Sequence, residues 1–202
     1  MSAGLEALCD EGVVSSSDSI ERFVYGQLRW RWATMDRPFV TNAAKARADL
    51  DFLSAIDRQI EVQSLAKESR EGSKRSGRAL LQVHIKLGTD GVERYQERIS
   101  LGQAIGHNPV VQGLVWSGVG IRQGQIELIS AHTFCVGILG AALRLGVIGH
   151  SAAQTILSKS HRVIVDVLDD PCPSLDEVNS FTPQQEIALM RHEVMTSRLF
   201  TN

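Results

Sequence analysis

Cysteine is scarce in this chain: Cys9, Cys135 and Cys172 are the only three in 202 residues, widely spaced and odd in number. Without a Cys-x-x-Cys pair they make neither a disulfide framework nor a zinc-finger ligand set, and a reducing compartment, the cytoplasm, is the expected setting. An excess of charge of one sign is missing as well. The formal net charge is −2, so no global electrostatic pull toward nucleic acid or an anionic membrane is expected. The loops of common catalysts are also absent. There is no Gly-x-x-x-x-Gly-Lys-Ser/Thr, no Gly-x-Gly-x-x-Gly after a strand and no Gly-x-Ser-x-Gly, which removes the usual nucleotide-hydrolysing loop and the serine-hydrolase elbow. The opening Met-Ser-Ala-Gly-Leu-Glu has no basic region followed by an apolar core, so no secretory signal is expected. Long hydrophobic runs are few. The most apolar stretch, Ile126 to Ile148, is interrupted by Glu127 and Arg144, and the uncharged part between them contains His132. It falls short of the roughly 20 residues of a membrane span and reads as a helix buried in a protein core.

What remains is ordinary globular material. Apolar residues make up 43% and charged residues 22%, and the length suits one domain or two small ones on a shared core. Helical periodicity dominates. Asp18, with Glu21 three residues on, predicts a capped helix whose stripe is Ile20, Phe23, Val24, Leu28 and Met35. Pro38 is expected to break it, and Asn42 to start another with Ala46, Leu50, Leu53, Ile56 and Ile60. A third helix around Gly77, Leu80, Leu81 and Ile85 ends before Thr89-Asp90-Gly91. From Pro109 to Ile121 and from Gln125 to Leu145 the residues are almost all apolar or small, and helices apolar on all sides lie inside a protein. Ser151 to Leu168 reads as a further helix, and Thr182-Pro183-Gln184-Gln185 as the capped start of the last, running to about His192. With no strand alternation, the expected fold is all-α: a single-domain helical bundle around a buried hydrophobic hairpin between residues 109 and 145.

Six histidines (84, 107, 132, 150, 161 and 192) raise the question of metal. None pairs with a second His, Cys or acid at ligand spacing except His192 beside Glu193, and adjacent helical residues diverge by about 100°. Structural roles follow, with His132 as a hydrogen-bonded core residue. Lys67, Arg70 and Lys74 fall on one helical face; they read as a solvated face laced with weak ion pairs, or as a docking surface for an acidic partner. Arg144, closing a nearly uncharged helix, either complements the helix dipole or anchors an interface. The chain ends Ser197-Arg198-Leu199-Phe200-Thr201-Asn202, where a polar fraying end is usual. Leu199 and Phe200 fold back onto their own core or sit in a partner. A catalytic reading, a polar site around Arg144, His150 and His161, requires perturbed acid–base groups in one pocket. A DNA binder would need a basic recognition helix, which is lacking.

Several blocks, in order, resemble the UreF family of urease accessory proteins: Gly4-Leu5-Glu6; Glu68-Ser69-Arg70 with Ser73 and Gly77; His107-Asn108-Pro109-Val110-Val111 with Gly113; Arg144-Leu145-Gly146-Val147-Ile148-Gly149-His150 with Ala153-Gln154; Arg191-His192-Glu193; and Ser197-Arg198-Leu199-Phe200. Members of that family begin with a short helix and a Leu-Pro-x-Gly loop before Ser-x-Gly-Leu-Glu, so this chain resembles an N-terminally short member. The resemblance implies an all-helical, dimerising cytoplasmic chaperone that is not an enzyme, one domain over residues 1–202 with 193–202 as a tail ordered on partner binding. It implies a protein bridging a GTPase partner (UreG) and a β-rich scaffold partner (UreD, also called UreH). That assembly acts on apo-urease and inserts nickel, with no cofactor held by this chain. Glu6 and Arg144 then correspond to positions associated with GTPase control, and Ser197, Arg198, Leu199 and Phe200 to the segment that docks on the scaffold.

Overall fold

Ser16, rather than Asp18, opens the first long helix. Its hydroxyl accepts from the Ser19 amide while the Ser19 hydroxyl accepts from the Ser16 amide, a serine–serine version of the capping box. A computed structural model describes residues 4–192 of the protein. They form helices α1 (Leu5–Asp10), α2 (Ser17–Gln27), α3 (Arg37–Lys45), α4 (Leu50–Gln63), α5 (Lys67–Lys86), α6 (Val92–Ser100), α7 (Asn108–Gly118), α8 (Gln123–Arg144), α9 (His150–Asp169) and α10 (Pro183–His192). Among the described residues there is no strand, and the fold is all-α as expected.

The expected break at Pro38 does not occur. Residues Leu28–Asp36 are π-helical and join α2 to α3 without interruption, with the Arg37 amide reaching back five residues to Trp32 O. Proline removes a ladder hydrogen bond and crowds the preceding turn, and the wider π turn relieves both. Two carbonyls of this segment also accept from a distant one: Thr34 O from the Asn179 amide at 3.1 Å and Trp30 O from the Phe181 amide at 3.0 Å. Nor does Asn42 start a helix. It lies inside α3, and Asp49 caps α4 by accepting from the Phe52 amide.

Two apolar clusters form the interior. One gathers Leu5, Ile20, Val24, Leu28, Trp32, Ala141 and Ile164 from α1, α2, the π segment, α8 and α9. The other gathers Phe39, Leu53, Ile56, Leu81, Tyr95 and Leu114 from α3 to α7. The α2–π–α3 rod contributes to both, and α3 is flanked by α7 on one side and α8 on the other. The α7–α8 hairpin is therefore central, but its two arms differ. Pro109 to Val115 of α7 are all buried. On α8, Leu128 is 46% and Val136 45% exposed, so the expectation of a helix buried all round fails for that arm. By length and composition α8 could also cross a membrane, although half of that apolar window is covered by neighbouring helices. It also carries Glu127, whose carboxylate is ion-paired inside the protein.

Two buried polar nodes hold the helices in place. Arg37 Nε donates to Glu127 Oε2 at 2.8 Å, and its Nη1 donates to Val167 O at 2.9 Å and Asp170 O at 3.0 Å, capping the end of α9. Asp57, fully buried in α4, accepts from the Tyr95 hydroxyl and from three consecutive amides, Ile105, Gly106 and His107, at 2.6–2.9 Å. That cluster fixes the loop entering α7. Beside it, the buried His107 Nε2 donates to Glu61 Oε2 at 2.8 Å. Burial pushes the His107 imidazole below the ordinary histidine value, against the opposing pull of Asp57 and Glu61.

Close backbone approach explains two glycines. A Cβ on Gly77 would lie 2.3 Å from Gly106 O, and one on Gly113 would lie 2.4 Å from Val40 O. Gly113→Ala should therefore destabilise the protein by about 1–3 kcal/mol through overpacking against α3. Gly137→Ala, in open space on α8, should be neutral or stabilising by up to about 1 kcal/mol; urea unfolding of the two variants checks the contrast. His107 makes a second prediction. Its imidazole stays neutral in the fold below the pH at which the unfolded chain takes up a proton, near about 6.5. The unfolded state then binds more protons, so stability falls as pH drops from the unfolded value toward the depressed native one. The urea midpoint should decline between about pH 7.5 and about pH 5.5, and His107→Gln should reduce that slope.

Candidate partner-docking site

The two ends of the described chain meet. Gly4, in the left-handed region at φ 76°, starts α1 directly against α10, and a Cβ there would lie 3.0 Å from Gln185 O. Leu5 and Glu6 are both buried in α1. Arg191 Nη1 of α10 donates to Glu11 Oε1 at 2.9 Å and closes the clasp from outside. Arg144 is exposed at the last turn of α8, a helix that contacts α1. Ser197, Arg198, Leu199 and Phe200 lie outside the described residues.

A groove of about 390 Å³ runs beside this clasp, walled by Leu8, Val14, Phe23, Trp30, Phe181 and Gln185. Its rim is apolar and open to solvent: Phe181 is 73%, Trp30 55% and Val13 51% exposed. The buried Gln27 side chain also faces it, and its Oε1 has no hydrogen-bond partner among the described residues. Large exposed aromatics beside an unsatisfied polar atom are the composition of a binding surface, since aromatic anchors dominate interface energetics. The π segment builds this rim, because the bond from the Phe181 amide to Trp30 O holds the two rings at one edge. Sequence reasoning missed Trp30 and Phe181. The available signal was Pro38 in an otherwise helical stripe, which leaves a carbonyl without its helical donor in the turn before it.

A second cavity, of about 350 Å³, lies between the π segment, α5, α7, α8 and α10, with Trp32, Trp116, Phe134 and Leu189 among its walls. Its polar edge holds the Arg31–Asp36 ion pair, with Arg31 Nη2 at 3.6 Å from Asp36 Oδ1. Burial raises the Asp36 carboxyl above its ordinary value, and the Arg31 guanidinium opposes that shift.

The other sequence candidates scatter. His150 opens α9 and His161 lies eleven residues on, about 16 Å along the helix axis, so Arg144, His150 and His161 do not share one pocket. His132 is not a hydrogen-bonded core residue: it is half-buried, and its ring faces that of His161. His84 Nδ1 pairs with the Thr89 hydroxyl at 2.8 Å, and burial lowers its pKa. The basic face of α5 is largely spent internally. Arg70 and Lys74 both reach Glu61, at 3.5 and 3.4 Å, and Arg70 Nη1 donates to Ser64 O and Leu65 O, tying α5 to α4. Among the described residues no group of three or more His, Cys, Asp or Glu side chains is placed to hold a metal ion.

Fold and surface define a class: an all-α protein whose prominent features, among the described residues, are apolar grooves rather than converging reactive groups. Comparison with known proteins makes this specific. A profile of the UreF family matches residues 14–161. The chain is 32% identical to the urease accessory protein UreF of Trichodesmium erythraeum, over 100% of this chain and 88% of that protein. It is 28% identical to the urease accessory protein UreF of Actinobacillus pleuropneumoniae, over 98% of this chain and 89% of that protein. The protein of that name from Haemophilus influenzae is 27% identical, over 98% and 86%. The chain belongs to the UreF family, as its ordered sequence blocks implied. That family is one of accessory proteins, and this chain is not an enzyme.

Proposed function

We propose that this chain is a non-catalytic chaperone subunit of urease maturation, bridging the GTPase UreG and the scaffold UreD/UreH on apo-urease. The observation that carries the reading is family membership over nearly the whole chain. In this reading nickel is cargo of the assembly, the chain holds no cofactor of its own, and it works in the cytoplasm as a homodimer within the complex. The groove beside the α1–α10 clasp supports a scaffold contact. It lies next to the helix that leads into Ser197-Arg198-Leu199-Phe200 and offers two exposed aromatic rings to a partner. Glu6 and Arg144, on contacting helices, are assigned to the GTPase side. The buried setting of Glu6 makes its role one of holding α1 in position, whereas Arg144 is exposed at the last turn of α8.

Co-expression with UreD/UreH and UreG, followed by size-exclusion chromatography, tests this directly. The expected result is a stable complex containing all three proteins; elution of this chain alone refutes the reading. The double variant Trp30→Ala/Phe181→Ala should weaken scaffold binding at least about tenfold, equivalent to about 1.4 kcal/mol. Phe181→Ala by itself should shift unfolding by no more than about 0.5 kcal/mol, because the side chain is mostly exposed. Arg144→Ala should leave the scaffold contact intact and impair recruitment of the GTPase.

A further inference from the structure

The cavity of about 350 Å³ between the π segment, α5, α7, α8 and α10 plays no part in the docking reading, and its polar groups do not balance. Three aromatic side chains wall it: Trp32, Trp116 and Phe134. Trp32 also starts a short chain of buried hydrogen bonds. Its indole Nε1 donates to Ser130 Oγ at 3.1 Å, and Ser130 Oγ donates to Gln112 Oε1 at 3.0 Å. An indole nitrogen only donates, so the serine proton is left for the glutamine, and the group that receives it is the side-chain carbonyl. The chain therefore fixes which way the Gln112 amide is turned. Its Nε2 protons make no hydrogen bond among the described residues, although Gln112 is only 6% exposed and lines the cavity.

Arg31, at the edge of the same cavity, is under-used in the same sense. A guanidinium carries five N–H donors. Among the described residues the one polar contact of Arg31 is with Asp36 Oδ1 at 3.6 Å, although its side chain is only 17% exposed. That separation is too long for a good hydrogen bond. The hydroxyls of Ser69, Ser76 and Thr133 on the walls turn either way. Donors on Arg31 and Gln112 thus outnumber the fixed acceptors, which come to the carboxylate of Asp36. Buried donors are costly to leave unpaired, so donors in excess beside aromatic faces select a ligand that brings acceptor oxygens on an apolar body. The volume lies near the lower end of the range for small-molecule sites, about 300–1,000 Å³, and suits a single ring with a short side chain.

We propose that this cavity binds a small aromatic monocarboxylate, with its ring against Trp32, Trp116 and Phe134 and its carboxylate accepting from Arg31 and the Gln112 amide. Guanidinium and carboxylate match as planar forks, and aromatic rings pack well in offset or edge-on contact. Asp36 is the competitor within the chain, because the ligand takes over the partnership with Arg31 that Asp36 holds at 3.6 Å. The inference goes beyond the docking reading and needs no partner protein. A failed ligand titration leaves the co-elution result unaffected, and the reverse holds equally.

The probe is hydrocinnamate, titrated calorimetrically into the full chain alone. Saturable binding of one molecule per chain is expected. Hydrocinnamamide keeps the ring and loses the charge, and propionate keeps the charge and loses the ring; each should bind at least about tenfold more weakly. Arg31→Gln should weaken hydrocinnamate binding by a similar factor. Asp36→Asn, which removes the competing carboxylate, should strengthen it, whereas a purely structural ion pair would make both changes harmful. Helical circular dichroism verifies that the variants fold. A second measurement needs no variant. The chain has three tryptophans: Trp32 and Trp116 line this cavity, and Trp30 lines the other groove. In isotope-labelled protein the probe should shift the indole N–H resonances of Trp32 and Trp116 and leave that of Trp30 in place. Absence of saturable binding, an amide that binds as tightly as the carboxylate, weaker binding by Asp36→Asn, or shifts centred on Trp30 overturns the proposal.

Discussion

A proline in the middle of an unbroken helix is the constraint on which much of this structure turns. Pro38 cannot donate to the helical ladder, and its ring crowds the turn before it. The chain answers by widening the preceding residues, Leu28–Asp36, into a π segment. The carbonyls of Trp30 and Thr34 receive the amides of Phe181 and Asn179, and the Thr34 hydroxyl donates back to Asn179 O at 2.7 Å. One backbone irregularity thus fixes where the segment before α10 crosses the rod. It thereby sets the entry of α10, the clasp with α1 and the aromatic rim of the groove. π turns are rare and concentrate at functional sites; here the turn is what exposes Trp30 beside Phe181.

Arg37, adjacent to that proline, makes the same region rigid. A buried guanidinium would be costly alone, but this one meets Glu127 and the terminal carbonyls of α9 at once. Taking two charges out of water roughly cancels their attraction, so the node adds little net stability over an apolar replacement. Removing one partner, by contrast, strands the other at a cost of about 3–5 kcal/mol. Its contribution is one of register. A helix sliding by a single residue along α8 or α9 would lose every one of these bonds together. Asp57 does the equivalent on the far side of α3, where a single carboxylate collects four donors and orders the entry to α7.

The helices themselves were legible because their apolar stripes recur at three and four residues; α7, α8, α9 and α10 fall close to where periodicity and caps place them, whereas α4 opens at Leu50 instead of Asn42. The misreadings share a cause. Pro38 and Asp18 were judged by local propensity, and tertiary partners decided otherwise: residues 179–181 rescue the proline, and two serines outcompete Asp18 for the cap. The basic face of α5 could not be assigned from spacing alone, since Glu61 lies on another helix. The same holds for the His132–His161 pair, 29 positions apart in sequence and brought together only by the α8–α9 hairpin. The family blocks located Glu6 and Arg144, but not the groove, whose rings come from the π segment and the loop before α10.

The two arms of the central hairpin show how far composition alone reaches. Both read as apolar throughout, yet α7 is enclosed while α8 presents Leu128 and Val136 to solvent. Mean hydropathy cannot separate these cases, because enclosure depends on how much of a helix's surface its neighbours cover. The 11 residues of α7 lie among α3, α4, α5, α6 and α8, whereas the 22 residues of α8 touch α1, α2, the π segment, α3, α7 and α9 and still leave part of its length uncovered. Leaving a large aliphatic side chain about half exposed forgoes roughly half of the 1.5–3 kcal/mol that full burial supplies. Along α8 that loss recurs where Gly137 and Gly140 could have been replaced without steric penalty by polar residues, since a Cβ at either position meets no backbone atom within 4 Å. The helix therefore keeps an apolar, low-relief face that its own fold does not require. Unlike the α5 cations, which find carboxylates within the chain, that face is unaccounted for by the packing of the described residues, and requirements outside the monomer's own stability are what can maintain it.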